Sequence, residues 1–580
     1  MRRYSALLLL LIFTLGCRAL SIGSLTVPTP TILPTHTARA TQAPTPSATF
    51  SSTAPPSPSS TSSPLASPTP SPRATEQAES FHVQFHPDGG LYIGDLVSLE
   101  IIAPPGFDLE GDQVEIQIDD PAATRLPTAD FDGFGIQGRP QATLIWAWDT
   151  QSLQPGDYTL TFAIPAEDMT WTETVTLQPG SDSPPDEAEA TWVSDTIACC
   201  TLYYMTNTAA ERDLETLGLM VQAEAEQAIE QMEVEFTEPI TITFLPRLLG
   251  HGGFAGGEIH VSYLDRNYAV NDFELVVHHE LVHILDGRLG GELRPSILTE
   301  GLAVYLSGGH YRPEALLPRA AALLDENLGW YQPLEKLADD FYASQHEIGY
   351  LEAGALVAYM VDRWGRESFE DFYRDIHPHE SELQSRAIDA ALGDHFGITL
   401  AELESNFIET LRSQADGELW REDVRLTVEH FEALRRYQQA LDPSAYFRTA
   451  WLLDTRAMRQ RGIIADYYRH PSQVENLVLE TLLVASGNAL DGQQYSEAEQ
   501  LLEAVNRTLD ALEAGTERPF TAHPLAADYY AIVQALLERG YQAQQIKIKG
   551  DTAWAAGSSF QPEMIEFKFT RSDPGWTLAD

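Results

Sequence analysis

Two histidines and a glutamate in the stretch FELVVHHELVHILDG, residues 273–287, have the spacing of a metal-dependent hydrolytic site. On a helix, His279 and His283 lie one turn apart on the same face, so both imidazoles can meet one metal ion. Glu280 is rotated by about 100° from His279, which places its carboxylate beside that ion, where a base can take a proton from water. The spacing therefore predicts zinc chemistry that needs no nucleophilic serine or cysteine.

The residues around this motif favour a helix that packs into a core. Asn271 and Asp272 provide a helix start signal. Because a chance motif on the protein surface would more often lie in a polar helix, the apolar neighbours strengthen the prediction. His278 is expected to be a packed or solvent-facing neighbour rather than a ligand. The apolar positions of the helix are Phe273, Val276, Val277 and Leu281.

Zinc needs a third protein ligand and an open fourth position. The metzincin continuation with a third histidine is absent, because position 289 is Leu; the chain instead continues as RPSILTEGLAVYLSGG, in which Pro295 and Ser296 begin a second helix. HExxH followed by a short loop and Leu-x-Glu-Gly-x-Ala-x-Tyr resembles the gluzincin superfamily of zinc metallopeptidases, particularly its bacterial peptidase MA-like members. The resemblance covers roughly residues 195–415 and implies that Glu300 is the third zinc ligand. Ile297 stands where that family often has Trp.

A later segment, HEIGYLEAGALVAYMVDRWG, resembles the helix of the same family that carries a tyrosine near a Gly/Ala-rich turn. The resemblance implies that Tyr350 stabilises the oxyanion. His346, one helical turn earlier, is the alternative for this role. Tyr350 lies one position further from Gly354 than the corresponding pair in the related aminopeptidases.

At 580 residues the chain is too long for one core, and its length predicts about three or four domains. Alternating strands at 79–180 predict an N-terminal all-β, immunoglobulin-like sandwich, followed by a linker at 181–189. Residues 190–415 are expected to form an α+β, zincin-like peptidase domain. Residues 416–520 predict a helical region, and 521–580 a small α+β segment.

The first residues have the pattern of an export signal rather than of a fold. Arg2 and Arg3 precede an apolar run too short to cross a bilayer, which predicts a signal peptide at 1–17. Its end, TLGC, resembles the lipobox of bacterial lipoproteins, although Thr14 stands where Leu is usual. The resemblance implies a lipid on Cys17 and a location in the cell envelope, on the outer side of the cytoplasmic membrane; plain secretion or an uncleaved signal anchor are the alternatives. The Pro/Ser/Thr-rich residues 18–78 predict a disordered tether.

The charge and the cysteines restrict the possible partners. A formal net charge of −49 repels phosphate backbones, which argues against nucleic-acid binding. Beyond Cys17 the cysteines are the adjacent Cys199 and Cys200. They are expected to be two buried thiols, with no disulfide framework and no cysteine-based metal site.

These features predict an exported, membrane-tethered zinc peptidase that acts on peptide or protein substrates. The alternative is a non-catalytic surface lipoprotein with a metallopeptidase-like binding or scaffold domain, although a scaffold has no use for Glu280. A third possibility, carbohydrate binding by the β region, depends on Trp146, Trp148 and Trp171, for which burial in the core is the simpler expectation. The oligomeric state stays open.

Overall fold

The computed structural model describes residues 81–107, 109–234, 238–268, 272–310, 312–414, 417–559, 564–572 and 575–579. The signal peptide predicted at 1–17 and the tether predicted at 18–78 lie outside the described residues. The borders proposed between the regions stay predictions. Among the described helices, none has the length and hydrophobicity that crossing a bilayer requires.

The N-terminal region is β-rich, as expected. Its strands are β1 (His82–His86), β2 (Leu91–Tyr92), β3 (Leu96–Ile102), β4 (Gln113–Ile118), β5 (Ala129–Phe134), β6 (Arg139–Asp149), β7 (Gly156–Ile164) and β8 (Met169–Gln178). They join in the order β1-β3-β6-β5-β4-β7-β8-β2. The β4–β5 junction has only the pairs Gln113–Asp130 and Val114–Ala129, so the sheet consists of two halves that share one apolar core. Trp148 and Trp171 are buried in that core.

The central region begins with a mixed sheet. Its strands, β9 (Trp192–Thr196), β10 (Cys200–Met205), β11 (Ile240–Leu245), β12 (Gly253–Ala255) and β13 (Ile259–Ser262), join in the order β12-β13-β11-β10-β9. The three inner strands are parallel, whereas β9 and β12 run antiparallel at the two edges. Short helix α1 (Pro185–Glu189) precedes the sheet, and α2 (Ala209–Arg212) and α3 (Leu214–Met232) connect β10 to β11.

Helices complete the central region and share one core with its sheet. They are α4 (Phe273–Leu289), α5 (Ser296–Ser307), α6 (Leu316–Ala322), α7 (Leu334–Asp339), α8 (His346–Trp364), α9 (Arg366–Arg374), α10 (Gln384–Phe396) and α11 (Leu400–Arg412). Helix α4 starts where the sequence indicates, because the Asp272 carboxylate accepts hydrogen bonds from the backbone N–H groups of Glu274 and Leu275, at 3.1 and 3.4 Å.

The C-terminal region is mostly helical and ends in a small sheet. Its helices are α12 (Gly417–Leu441), α13 (Thr455–Arg461), α14 (Ala465–Tyr468), α15 (Val474–Asp491), α16 (Tyr495–Glu513) and α17 (Pro524–Leu537). Strands β14 (Gln542–Lys549), β15 (Thr552–Ser558), β16 (Met564–Ser572) and β17 (Gly575–Leu578) form an antiparallel sheet in chain order. The sheet and the longer helices share a second large core.

Two local expectations from the sequence are wrong. The spacing of Thr208 and Glu211 in the sequence predicts a capping box at the start of α2. The Thr208 hydroxyl donates instead to the carbonyl of Met205 at 2.6 Å, and no side-chain cap forms. Cys199 and Cys200 form a disulfide rather than two thiols. The bend that leads into β10 brings these adjacent, buried side chains together.

Close contact between α5 and α8 depends on glycine. A Cβ atom at Gly301 would lie 2.6 Å from the carbonyl oxygen of Ala353 and 2.9 Å from a methyl group of Val357. The first of these neighbours is backbone and cannot rotate away. Because α5 carries Glu300 beside this glycine, the packing also fixes the position of that carboxylate relative to α8.

We expect Gly301→Ala to lower the free energy of unfolding by about 1–3 kcal/mol, because the added methyl group overpacks the α5–α8 contact. The measurement is urea unfolding of the full-length protein. Gly393→Ala, at an exposed position of α10 with nothing within 4 Å of the added carbon, is the matched control and should be neutral or stabilising by about 0.5–1 kcal/mol. An equal change in the free energy of unfolding in the two variants would contradict the proposed packing.

Candidate metal centre

Helix α4 presents His279 and His283 to the same point. Both side chains are buried, and their Nε2 atoms lie 3.0 Å apart. His278 points elsewhere: its ring nitrogens lie 2.8 Å from Glu224 and 2.8 Å from Gln231 on α3. The expectation that His278 is a packed neighbour and not a ligand therefore agrees with its contacts.

Helix α5 brings Glu300 to the two imidazoles. Its Oε2 atom lies 3.4 Å from Nε2 of His279 and 3.2 Å from Nε2 of His283. Within the described residues these three form a group of buried side chains whose ligand atoms all lie within 4.8 Å of one another. The residues predicted from two separate segments of sequence therefore converge.

The electrostatics favour the metal-binding form of two of the three groups, neutral His279 and ionised Glu300. Burial lowers the pKa of His279 to about 4, so this imidazole is neutral at pH 7. Burial also lowers the pKa of His283, but the carboxylates of Glu300, Glu280 and Asp286 together outweigh it and raise that pKa above the usual value. For Glu300, burial opposes ionisation, yet His283 and His279 together hold the pKa well below its usual range. Glu300 is therefore a carboxylate at neutral pH.

The donor set fits zinc in type and in spacing. Two imidazole nitrogens and one carboxylate oxygen are the protein ligands of a common class of catalytic zinc site. With bonds of about 2.0–2.1 Å in a tetrahedral site, donor atoms lie about 3.3 Å apart. The observed separations are 3.0, 3.2 and 3.4 Å. A tetrahedral site also has a fourth position, and within the part of the chain that the structure describes no further residue joins this group of donors.

Glu280 lies beside this donor set and outside it. Its side chain is buried. A Cβ atom at Gly253 would lie 3.2 Å from Oε1 of Glu280, so the carboxylate is next to the backbone of edge strand β12. Glycine at this position leaves room for both the Glu280 carboxylate and the Val276 side chain. An added Cβ atom would lie only 2.7 Å from a methyl group of Val276.

Tyr342 is part of the site, although sequence reasoning missed it. Its hydroxyl donates to Oε1 of Glu300 at 2.8 Å, which leaves Oε2 directed at the imidazoles. Tyr342 lies in a single 3-10 turn, Phe341–Ala343, directly before α8. No motif marks this position; the signal that could have revealed it is a tyrosine just upstream of the helix that carries Tyr350.

Aromatic rings extend from the donor set towards α8. The ring centroid of Tyr350 lies 6.5 Å from that of His279 and 4.4 Å from that of His346. His310, which sequence reasoning did not select, stacks on Tyr350 at 3.9 Å. Tyr350 therefore lies next to the candidate donor residues, and His346 lies one ring further away.

Comparisons with known proteins give little further information. No family model matches the chain, and no curated protein matches it. Among solved structures, an aminopeptidase N family protein from Idiomarina loihiensis is similar, at 11% sequence identity and a TM-score of 0.27, over 58% of this chain and 77% of that one. The function proposed below therefore rests on the residues of the site.

We expect Tyr342→Phe to weaken zinc binding by about 10–100-fold, since loss of a hydrogen bond to a ligating carboxylate commonly has an effect of this size. Competition with a chromophoric chelator measures the affinity. Tyr331→Phe is the matched control, because Tyr331 is also half-buried and donates to a carboxylate, Glu404, at 3.2 Å, away from the site. An unchanged zinc affinity in Tyr342→Phe would show that Tyr342 does not orient Glu300.

Proposed function

We propose that the protein is a zinc-dependent peptidase of the gluzincin type, with His279, His283 and Glu300 as the metal ligands. The observation that carries the proposal is the convergence of three buried donor atoms from two helices at 3.0–3.4 Å. A scaffold protein gains nothing from three such groups, because buried polar atoms destabilise a fold unless each has a suitable partner.

The remaining residues of the site have roles that follow from their positions. A zinc ion supplies Lewis-acid activation of water and of a substrate carbonyl. Glu280 accepts a proton from the attacking water and passes it to the leaving amine. Tyr350, with His346 as the alternative, donates a hydrogen bond to the carbonyl oxygen that gains negative charge. Tyr342 keeps the Glu300 carboxylate directed at the imidazoles.

We propose further that the chain is exported and held in the cell envelope. The support is the signal-like sequence at 1–17, the lipobox-like TLGC and the Pro/Ser/Thr-rich stretch at 18–78. Cys17 carries the lipid in this proposal, with a signal anchor as the alternative. The β-rich region at 79–180 is proposed to be an immunoglobulin-like sandwich that follows the tether.

The second candidate is a non-catalytic surface lipoprotein. The observation in its favour is the burial of the site, because a substrate cannot reach groups that are closed to solvent. The side chains of Glu280 and Glu300 are both 0% exposed. The two candidates differ in one property, because a catalytic protein must hydrolyse peptide bonds when loaded with zinc and a binding or scaffold domain does not.

The decisive variant is Glu280→Gln. We expect it to retain zinc at wild-type stoichiometry, because Glu280 lies outside the donor set, and to lower kcat on a peptide library by about 10²–10⁴-fold, because the proton acceptor is lost. Glu274→Gln, at an exposed position in the first turn of the same helix, is the control and should leave activity unchanged. If Glu280→Gln retains full activity, or if the wild-type protein loaded with zinc cleaves no peptide, the peptidase proposal fails.

A further inference from the structure

The site is closed in this structure. Relative exposures are 0% for Glu280, 1% for His279, 1% for Tyr350 and 3% for His346. A substrate carbonyl must approach all of these groups at hydrogen-bond distance for the proposed chemistry to occur. Some part of the protein that covers them must therefore move, and its position decides which substrates enter.

One of the segments that cover the site comes from the C-terminal region. Residues 443–451, between α12 and α13, form two 3-10 turns, Pro443–Ala445 and Phe447–Thr449, and we call this segment the strap. The ring of Phe447 lies 4.2 Å from the ring of His251 and 5.4 Å from that of His346, measured between centroids. His251 in turn stacks on His346 at 3.9 Å with an interplanar angle of 5°. The strap therefore covers the end of the site where His346 lies.

The inner side of the strap is tied to the helix that carries His346. The guanidinium of Arg435 lies 4.9 Å from the ring centroid of Phe447. The same guanidinium donates to both carboxylate oxygens of Glu347, one of them at 2.9 Å, with both side chains largely buried. Glu347 is the neighbour of His346 in the first turn of α8. Movement of Phe447 is thereby linked to the start of α8.

The outer side of the strap is held by the N-terminal β region. The Ser444 hydroxyl donates to the Asp88 carboxylate at 2.6 Å. At the other end of the strap, the ring of Trp451 stacks on His86 at 4.0 Å with an interplanar angle of 5°. His86 is the last residue of β1, and Asp88 lies in the turn that follows it. This part of the β region therefore contacts the strap near both of its ends.

The middle of the strap also contacts the β region. The backbone N–H of Gln137 donates to the carbonyl of Arg448 at 3.4 Å. Gly135 has a φ of +68°, and a Cβ atom there would lie 3.0 Å from the Cα atom of Thr449. Glycine thus permits the β5–β6 turn to lie against the strap. The β region therefore contacts the strap near both ends and in its middle.

We propose that the strap determines which substrates the site accepts, admitting peptides that end close to the cleaved bond and excluding long chains that continue past it. This inference rests on the proposed peptidase function. A long chain must leave the site on both sides of the scissile bond, but Phe447 closes the His346 side, and the β region lies behind the strap. A substrate chain therefore cannot leave the site on the His346 side unless the strap is displaced.

The test uses Phe447→Ala in the full-length protein, with Phe520→Ala as the control. Phe520 is similarly buried, at 5% against 6%, but belongs to the C-terminal core. The first readout is carbethoxylation of His251 and His346 by diethyl pyrocarbonate, mapped by mass spectrometry, which requires neither zinc nor activity. We expect both imidazoles to be modified at least about tenfold faster in Phe447→Ala, equivalent to about 1.4 kcal/mol in the opening equilibrium, and at the wild-type rate in Phe520→Ala.

The second readout is substrate length. We expect kcat/KM on carboxymethylated, unfolded casein to rise in Phe447→Ala by at least about tenfold relative to kcat/KM on a short peptide. Ser444→Ala removes an anchor of the strap and should move both readouts in the same direction, so the test survives if Phe447→Ala does not fold. Unchanged modification rates in both strap variants, or equal length preference in wild type and variants, would overturn the proposal. Faster modification without any peptide cleavage in the wild type would support the strap and refute the peptidase.

Discussion

Two imidazole nitrogens and one carboxylate oxygen lie 3.0–3.4 Å apart in a part of the protein that is almost closed to solvent. Polar groups buried in this way destabilise a fold unless each finds a partner, and a single divalent cation satisfies all three at once. The surrounding structure serves to maintain this convergence. Glycine at 301 lets α5 lie against α8, and the Tyr342 hydroxyl orients the Glu300 carboxylate.

Buried ion pairs connect the N-terminal, central and C-terminal regions to one another. The guanidinium of Arg247, at the end of β11, donates to Asp88 in the β region at 3.0 Å and to Asp442 beside the strap at 3.2 Å. Arg469 in the C-terminal region forms a bidentate pair with Asp95, at 2.7 and 2.9 Å. Removing one partner of such a pair commonly destabilises a fold by about 3–5 kcal/mol, because the other charge stays buried without compensation. The flanking regions are therefore part of the structure around the site and not independent attachments.

The sequence reveals the local elements of the site better than its surroundings. Helix periodicity and the Asp272 cap predict α4, and the spacing of His279 and His283 follows from helix geometry alone. The position of Glu300 required the resemblance to a family, because no local rule states which distant carboxylate meets a helix. Tyr342 and the strap were beyond prediction, since their contacts join residues far apart in the chain. The capping box at Thr208 failed because a nearby carbonyl competes for the same hydroxyl.

Diffraction from crystals of the full-length protein, recorded on both sides of the zinc absorption edge, tests the central claim most directly. The account predicts one strong anomalous difference peak, bonded to Nε2 of His279, Nε2 of His283 and a carboxylate oxygen of Glu300 at about 2.0–2.2 Å. A zinc-loaded crystal with no peak at this position, or with a peak that Glu300 does not reach, would contradict it.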